Sequence, residues 1–350
     1  MPIDEAADRS LMAEAVAAGV SVRTSTSPNP WVGAVVVPVD DDSPAAIGAT
    51  QPPGGPHAER VALDLAGPSA RGSTVYVTLE PCAHYGRTPP CADALIDAGV
   101  ARVVVAIEDP DEHVAGLGIA RLRTAGIRVD VGVGAAEVTE SLAPYLKHRR
   151  TGRPFVVVKL AVTLDGRTAA PDDSSQWITG PLARLDVQQL RAESDAIAVG
   201  AGTVRADDPA LTVRIGAHDR DSLDDEPAGR QPQRIVLGHA PAGARVRPAI
   251  EHDGPLPDLL DALGRSGVLQ LLVEGGATVA HDFHAAGLVD RYVLYVAAAI
   301  LGGDDGHPVM AGAGAPTMAE IWRGRLVDVV RLGDDVRLDV VPRRAAATSS

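Results

Sequence analysis

The chain is poor in the residues that staple small proteins or stack on nucleic acid. Its 350 residues include two cysteines, Cys82 and Cys91, and aromatic side chains make up only 3%. A secreted disulfide scaffold carries more cysteine, and a chain this long needs no staple, so a cytoplasmic setting with two reduced thiols is expected. Lysine is scarce: of 32 basic residues only Lys147 and Lys159 are lysines. No apolar run approaches the ~18 residues of a membrane span. The acidic start, Met1-Pro2-Ile3-Asp4-Glu5, lacks the apolar core of a secretory signal. There is no basic lobe either, because the net charge of −14 divides into about −7 for each half. Nucleic-acid binding depends on Lys and Arg neutralising phosphates, so neither a nucleic-acid nor a membrane partner is expected.

What is present is globular. Hydrophobic residues at 45% and charged residues at 22% exclude a disordered or collagen-like chain. At roughly 100–200 residues per domain the length suggests two domains. Helical spacing of Leu11, Met12, Ala15 and Val16 predicts a helix over 4–18, with Gly19 as its stop. Strands are predicted over 32–39, 75–79, 103–107 and 127–133, alternating with helices over 57–65, 91–98 and 118–124. The basic run 147–154 ends in breakers and is read as a boundary. The alternation then restarts, with strands over 155–160, 196–199, 235–237, 269–273 and 291–296 and helices over 181–191 and 278–286. Residues 218–233 read as a loop. Such alternation implies α/β domains with largely parallel sheets. The expected division is 1–148 and 152–342, followed by a disordered tail over 343–350.

One constellation carries chemistry. His57-Ala58-Glu59 opens a predicted helix, Pro81-Cys82 follows a strand, and Cys91 opens the next helix. An imidazole and two thiolates suit tetrahedral Zn²⁺, and three protein ligands leave a fourth position for the water of a catalytic site, which the metal acidifies. Glu59 is then placed to move protons between that water and a leaving amine. Each part has a plainer reading: His-x-Glu occurs by chance, and buried thiols are often inert packing. The conjunction favours zinc. His-x-Glu with Pro-Cys matches zinc deaminases of nucleobases, but eight residues separate the two cysteines instead of two. Ser27-Pro28-Asn29-Pro30 is either a turn or a place where the Asn29 amide hydrogen-bonds a pyrimidine.

Three stretches together resemble a known family. Pro28-Asn29-Pro30-x-Val32-Gly33, Pro56-His57-Ala58-Glu59 and Thr78-Leu79-Glu80-Pro81-Cys82-Ala83-His84-Tyr85-Gly86-Arg87-Thr88-Pro89-Pro90-Cys91 look like the bifunctional deaminase/reductase of riboflavin biosynthesis. The long insert between the cysteines is characteristic of that family. The resemblance implies a cytidine-deaminase-like zinc domain in which His84 and its neighbours help to enclose the substrate.

Read from its residues alone, the second half says less. No G-x-G-x-x-G follows its first strand, so a Rossmann site is unsupported. Glu274-Gly275-Gly276-Ala277-Thr278 lies between a strand and a helix, as either a turn or a phosphate-binding helix start. Lys159-Leu160-Ala161-x-Thr163-Leu164-Asp165-Gly166-Arg167, Ser175-x-Trp177-Ile178-Thr179, Arg191 and Gly202-Thr203-Val204-x-Ala206-Asp207-Asp208-Pro209-x-Leu211-Thr212-x-Arg214, together with Glu274-Gly275-Gly276, resemble the reductase half of the same family. That half is similar to dihydrofolate reductase and uses NADPH. The resemblance implies cofactor contacts at Ala161, Trp177, Thr203, Asp207, Gly276, Ala277, Thr278, Val279, Ala280, His281 and Asp282. It implies substrate contacts at Ser175, Arg191, Leu211, Arg214 and Glu274. Two arginines and a hydroxyl suit a ribose phosphate, or else make surface ion pairs. Lys159 either polarises the sugar carbon that accepts hydride or is a snorkelling structural lysine, and Trp177 is equally readable as core. Gly238 and His239 stand where the family often shows Asp and then Ser or Thr, and residues 240–259 look short.

The expected activity is hydrolytic deamination of a diaminopyrimidine ribotide by zinc-activated water, followed by NADPH-dependent reduction of its ribosyl group to ribityl. Zn²⁺ and NADPH are the expected cofactors, a small phosphorylated pyrimidine the partner, and a homo-oligomer the expected state. The rival readings are a zinc deaminase of another nucleobase or of nucleic acid with a non-catalytic second domain, and a non-catalytic zinc scaffold.

Overall fold

The computed structural model describes residues 5–40, 43–84, 89–214 and 229–343. The chain divides into two compact units, one ending at Gly152 and the other starting at Arg153. Of the segments singled out above, Tyr85-Gly86-Arg87-Thr88, residues 218–228 of the expected loop and residues 344–350 of the expected tail lie outside the described residues.

The first unit runs α1 (Glu5–Ser21), α2 (Arg23–Thr26), β1 (Gly33–Val37), β2 (Ala46–Ala49), α3 (Ala58–Ala66), β3 (Thr74–Leu79), α4 (Cys91–Ala98), β4 (Arg102–Ile107), α5 (Leu117–Thr124), β5 (Arg128–Val131), α6 (Ala135–Ser141) and α7 (Ala143–Thr151). Its strand order is β2-β1-β3-β4-β5. β3, β4 and β5 are parallel, whereas β1 is antiparallel to both neighbours. The sheet is therefore mixed. The link from β1 to β2 is too short for a parallel crossover, which needs a dozen or more residues. The basic run read as a boundary forms the end of α7, which closes at Gly152 with φ 70°.

Helix α1 does not stop at Gly19. A Cβ at Gly19 would lie 2.5 Å from the Trp31 carbonyl oxygen, and one at Gly33 would lie 1.8 Å from that of Ala15. The two glycines let the helix rest directly on the β1 backbone, so Gly19 serves close approach rather than termination.

One buried carboxylate ties α1 to the sheet. Asp8 accepts from Arg102 Nη1 and Nη2 at 2.9 and 2.7 Å and from the Tyr76 hydroxyl at 2.6 Å. The hydrogen bonds from Arg102 hold its carboxyl below the usual range, against the opposing effect of burial. Its contribution is complete above the unfolded carboxyl pKa, about 4, and is lost as pH falls through the lower folded value. Asp8→Asn is expected to cost the first unit about 3 kcal/mol at neutral pH. The measurement is the urea midpoint at pH 7 and pH 3, and the difference between variant and parent should shrink at the acid value.

The second unit runs β6 (Phe155–Thr163), β7 (Arg167–Ala169), α8 (Pro181–Ala192), β8 (Ala196–Gly200), α9 (Ala201–Asp207), β9 (Gln233–Leu237), β10 (Ile250–His252), α10 (Leu256–Arg265), β11 (Gln270–Val273), α11 (Ala277–Ala285), β12 (Arg291–Ala297), β13 (His307–Pro308), β14 (Gly324–Leu332) and β15 (Asp335–Pro342). The main sheet has the order β10-β9-β8-β11-β6-β12-β15-β14. The strands from β10 to β12 are parallel, and β15 and β14 add an antiparallel hairpin at one edge. Val156, Val158, Leu160, Leu271 and Val273 of the central strands pack with Phe283 of α11 in the core. β6 and β11 are buried on both faces, which explains the apolar runs 155–158 and 271–273. β14 has no buried face, so its sequence lacks the alternation that would have announced it.

Candidate active sites

Three loops converge in the first unit. His57 is the N-cap of α3, with extended backbone and no side-chain capping bond, so its imidazole is left for another partner. Cys82 lies just beyond β3, and Cys91 begins α4. Cys82 Sγ and Cys91 Sγ lie 3.7 and 3.3 Å from His57 Nδ1. All three ligand atoms fall within 4.8 Å of one another. Tetrahedral zinc with bonds of about 2.3 Å to sulfur and 2.0–2.1 Å to nitrogen would separate such atoms by about 3.5–3.8 Å. The donor set and its spacing therefore fit a zinc ion. The Cys91 backbone N–H also donates to Cys82 Sγ at 3.3 Å, a helix-start contact that favours thiolate. The hydrogen bond from the Cys91 thiol pulls Cys82 down to about 4, while that same bond and burial push Cys91 well up.

Glu59 occupies the first turn of α3 and is buried at 3% exposure. Burial, with the Cys82 charge, pushes its carboxyl up to about 7. A carboxyl with that poise beside a metal group is suited to proton transfer. Asn29 sits half-buried in the turn before β1, and His84 is exposed at the edge of the described residues.

The second unit contains a cavity of about 1280 Å³ along the carboxyl ends of its parallel strands. Lys159 and Ala161 of β6, Ser175, Trp177, Arg191 and Glu274 line it. Thr203, Asp207, Leu211 and Arg214 line it as well, as do Gly276, Ala277, Thr278, Val279 and Asp282. Ala280 and His281 do not. Ala280 points into the core at 0% exposure, and the His281 ring lies beneath Gly312. A helix turns one face to a cavity, and within the expected run from 276 to 282 it is Gly276, Ala277, Thr278, Val279 and Asp282 that line it. Trp177 is 62% exposed and stacks under Arg184, so it is not a core residue.

Arg191 lines the cavity and is at the same time tied to Glu274. Its Nε and Nη2 donate to the two Glu274 oxygens at 2.6 and 2.9 Å, and Nη1 donates to the Thr212 carbonyl at 3.3 Å. Burial alone would raise Glu274, but the Arg191 charge and hydrogen bonds outweigh it and hold the carboxylate ionised. Lys159 shares this floor. Burial lowers its pKa, with Glu274 opposing and Arg191 adding to the shift. Leu211 is held at φ 52°, a left-handed conformation that costs a side-chain-bearing residue about 1–2 kcal/mol.

The family model described as the cytidine and deoxycytidylate deaminase zinc-binding region matches residues 5–107, and that of the RibD C-terminal domain matches residues 154–338. The riboflavin biosynthesis protein RibD of Escherichia coli is 40% identical, over 95% of this chain and 99% of its own length. The RibD of Mycobacterium tuberculosis is 43% identical over 97% of this chain and 98% of its own. The chain belongs to the RibD family. The solved structure of Acinetobacter baumannii RibD matches with a TM-score of 0.87 at 39% identity, covering 97% of this chain and all of that one. A Thermotoga maritima protein described as a diaminohydroxyphosphoribosylaminopyrimidine deaminase/5-amino-6-(5-phosphoribosylamino)uracil reductase matches with a TM-score of 0.83 at 30% identity. The first unit is thus a cytidine-deaminase-like zinc domain and the second a dihydrofolate-reductase-like domain. This RibD-family chain is a bifunctional deaminase and NADPH-dependent reductase of riboflavin biosynthesis.

Glu80 lies in the Thr78–Cys91 stretch, where nothing in its type or spacing marks a role. Its carboxylate accepts from the backbone N–H groups of Gly116, Gly118, Ile119 and Asp109 at 2.9, 2.9, 3.1 and 3.3 Å. A Cβ at Gly118 would lie 1.8 Å from the Pro81 carbonyl oxygen. Glu80 therefore clamps the start of α5 against the segment that carries Cys82. No spacing rule reveals this, because its partners are backbone groups some thirty or more positions away.

Cys91→Ser is expected to lower zinc content well below one ion per chain. Elemental analysis of the purified variant is the readout, and parental stoichiometry would remove Cys91 from the ligand set.

Proposed function

We propose that the first unit deaminates 2,5-diamino-6-ribosylamino-4(3H)-pyrimidinone 5′-phosphate and that the second reduces the ribosyl group of the product to ribityl with NADPH. The observation that carries this reading is the convergence of His57, Cys82 and Cys91 within 4.8 Å. In the deaminase step a C–O bond forms at the amine-bearing ring carbon, the C–N bond breaks, and ammonia leaves. His57, Cys82 and Cys91 would hold zinc, which supplies Lewis acidity that makes water nucleophilic at neutral pH. Glu59 takes a proton from the attacking water on its carboxylate oxygen and returns it to the departing nitrogen. Its raised pKa suits both directions of transfer. Asn29 and His84 are assigned to the pyrimidine.

In the reductase step NADPH supplies hydride to C1′ of the ribosyl group. Ala161, Trp177, Thr203, Asp207 and the cavity-facing residues from Gly276 to Asp282 bind and orient the cofactor. Lys159 places its ammonium at the reacting sugar and stabilises charge on the oxygen released as the ring opens. Ser175, Arg191, Leu211, Arg214 and Glu274 are assigned to the ribotide, and Arg191 keeps Glu274 ionised beside Lys159. The even acidic charge and the paucity of aromatics favour a small substrate over nucleic acid. No described helix is long and apolar enough to cross a membrane, and the two reduced cysteines suit a cytoplasmic enzyme.

Purified protein given the diaminopyrimidine ribotide should yield the deaminated ribosyl product without NADPH and the ribityl product with it, as identified by mass spectrometry. Glu59→Gln should keep its zinc and lose about 10²–10⁴ of the rate of ammonia release. Ammonia at the parental rate would exclude Glu59 from the mechanism. The reductase rate should fall as pH rises through the lowered Lys159 value, on the acid side of an ordinary lysine. In Lys159→Met the rate should drop and this alkaline limb should disappear from the pH profile.

A further inference from the structure

The parallel strands β10-β9-β8-β11-β6 of the second unit end on one edge, and the cavity follows that edge. Lys159, Arg191 and Glu274 mark one end, at β6 and β11. β9 and β10 lie three and four strands from β6, about 14 and 19 Å at ~4.8 Å per strand. A dinucleotide whose nicotinamide meets the sugar at Lys159 extends its adenosine toward this far end, in the crevice outside the carboxyl ends of the strands. There the lining includes Gly238, His252, Arg205 and Arg245.

The cations of the cavity are unequally committed. Arg191 is bound to Glu274, and Arg184 stacks on Trp177 and donates to the Thr179 carbonyl. Arg205 and Arg245 have no acidic side chain paired with them among the described residues. The neighbouring carboxylates are engaged elsewhere: Asp207 accepts from the Ser175 hydroxyl at 3.3 Å, and Asp253 faces His239 Nε2 at 3.8 Å. Asp208 directly follows the helix that carries Arg205, and its Oδ1 accepts from the Arg245 backbone N–H at 2.8 Å. That bond ties the Arg245 loop to the end of α9. At the tip of β9, Gly238 lines the cavity and adds no carboxylate to it. His239 is turned away, to Glu251 at 3.0 Å. In a chain of net charge −14, two uncommitted guanidinium groups at the adenosine end are a site for a dianion.

We propose that Arg205 and Arg245 bind the 2′-phosphate of NADPH and so make the reductase prefer NADPH to NADH. This rests on the reading of the cavity as the cofactor site. Titration calorimetry of NADP⁺ and NAD⁺ against the full chain and its Arg205→Ala, Arg245→Ala and double variants tests it. Each single change should weaken NADP⁺ about tenfold and NAD⁺ less than about threefold, and the double variant should bind the two nucleotides alike. Arg205→Lys and Arg245→Lys should recover part of the preference, because charge is kept while the planar fork is lost. An unchanged NADP⁺ preference in the double variant would overturn the assignment and leave the cavity as the cofactor site. Equal weakening of both nucleotides would also overturn it, because the arginines would then serve a part the two share. If the parent chain binds neither nucleotide, the cofactor reading itself fails and this assignment fails with it.

Discussion

The first active site depends on two helix starts being brought to the end of one strand. His57 caps α3, Cys91 begins α4, and Cys82 leaves β3 between them. Nothing in any one of these segments can hold a metal alone. The meeting is enforced from behind, where Glu80 gathers four backbone N–H groups and draws the start of α5 onto the Pro81 carbonyl. A carboxylate buried at 4% exposure must be fully hydrogen-bonded to be tolerated, and those bonds leave the segment before Cys82 little freedom. On the far side of the sheet, α1 lies against β1 through paired glycines, and Asp8 locks it to Arg102 and Tyr76.

The second unit solves a different problem. Its chemistry concerns charge placed where water is scarce. Lys159, Glu274 and Arg191 share the floor of the cavity, where Glu274 and Lys159 shift one another and Arg191 acts on both. The bidentate Arg191–Glu274 pair keeps a carboxylate ionised, and that carboxylate supports the lysine's positive charge. Removing one member would leave a buried charge uncompensated, which costs more than the pair itself contributes. The cavity extends along the strand ends because loops, not side chains within the sheet, close it. This explains why small residues such as Gly200, Gly202, Gly275 and Gly276 recur along its lining.

Much of this was legible in the linear chain, and the misses have physical causes. β3, α4 and β6 were recognisable because their burial is uniform or strictly periodic. The edge strand β14 was not, because a strand with no buried face carries no pattern. Gly19 was misread because a close-approach glycine and a stop glycine look alike in sequence, and only the position of the Trp31 carbonyl separates them. The Arg191–Glu274 pair is not visible in the sequence, because the two residues stand 83 positions apart.

The order of residue types along the chain determined the two-unit α/β character, the zinc donor set of His57, Cys82 and Cys91, and the family, since these rest on short-range pattern and on chemistry intrinsic to each side chain. Tertiary structure decided which of those side chains are committed and which are available: Arg191 to Glu274, Glu80 to the start of α5, and Arg205 and Arg245 to no carboxylate among the described residues. Commitment is a matter of distance and burial between segments far apart in the chain, and neither quantity exists until the chain has folded.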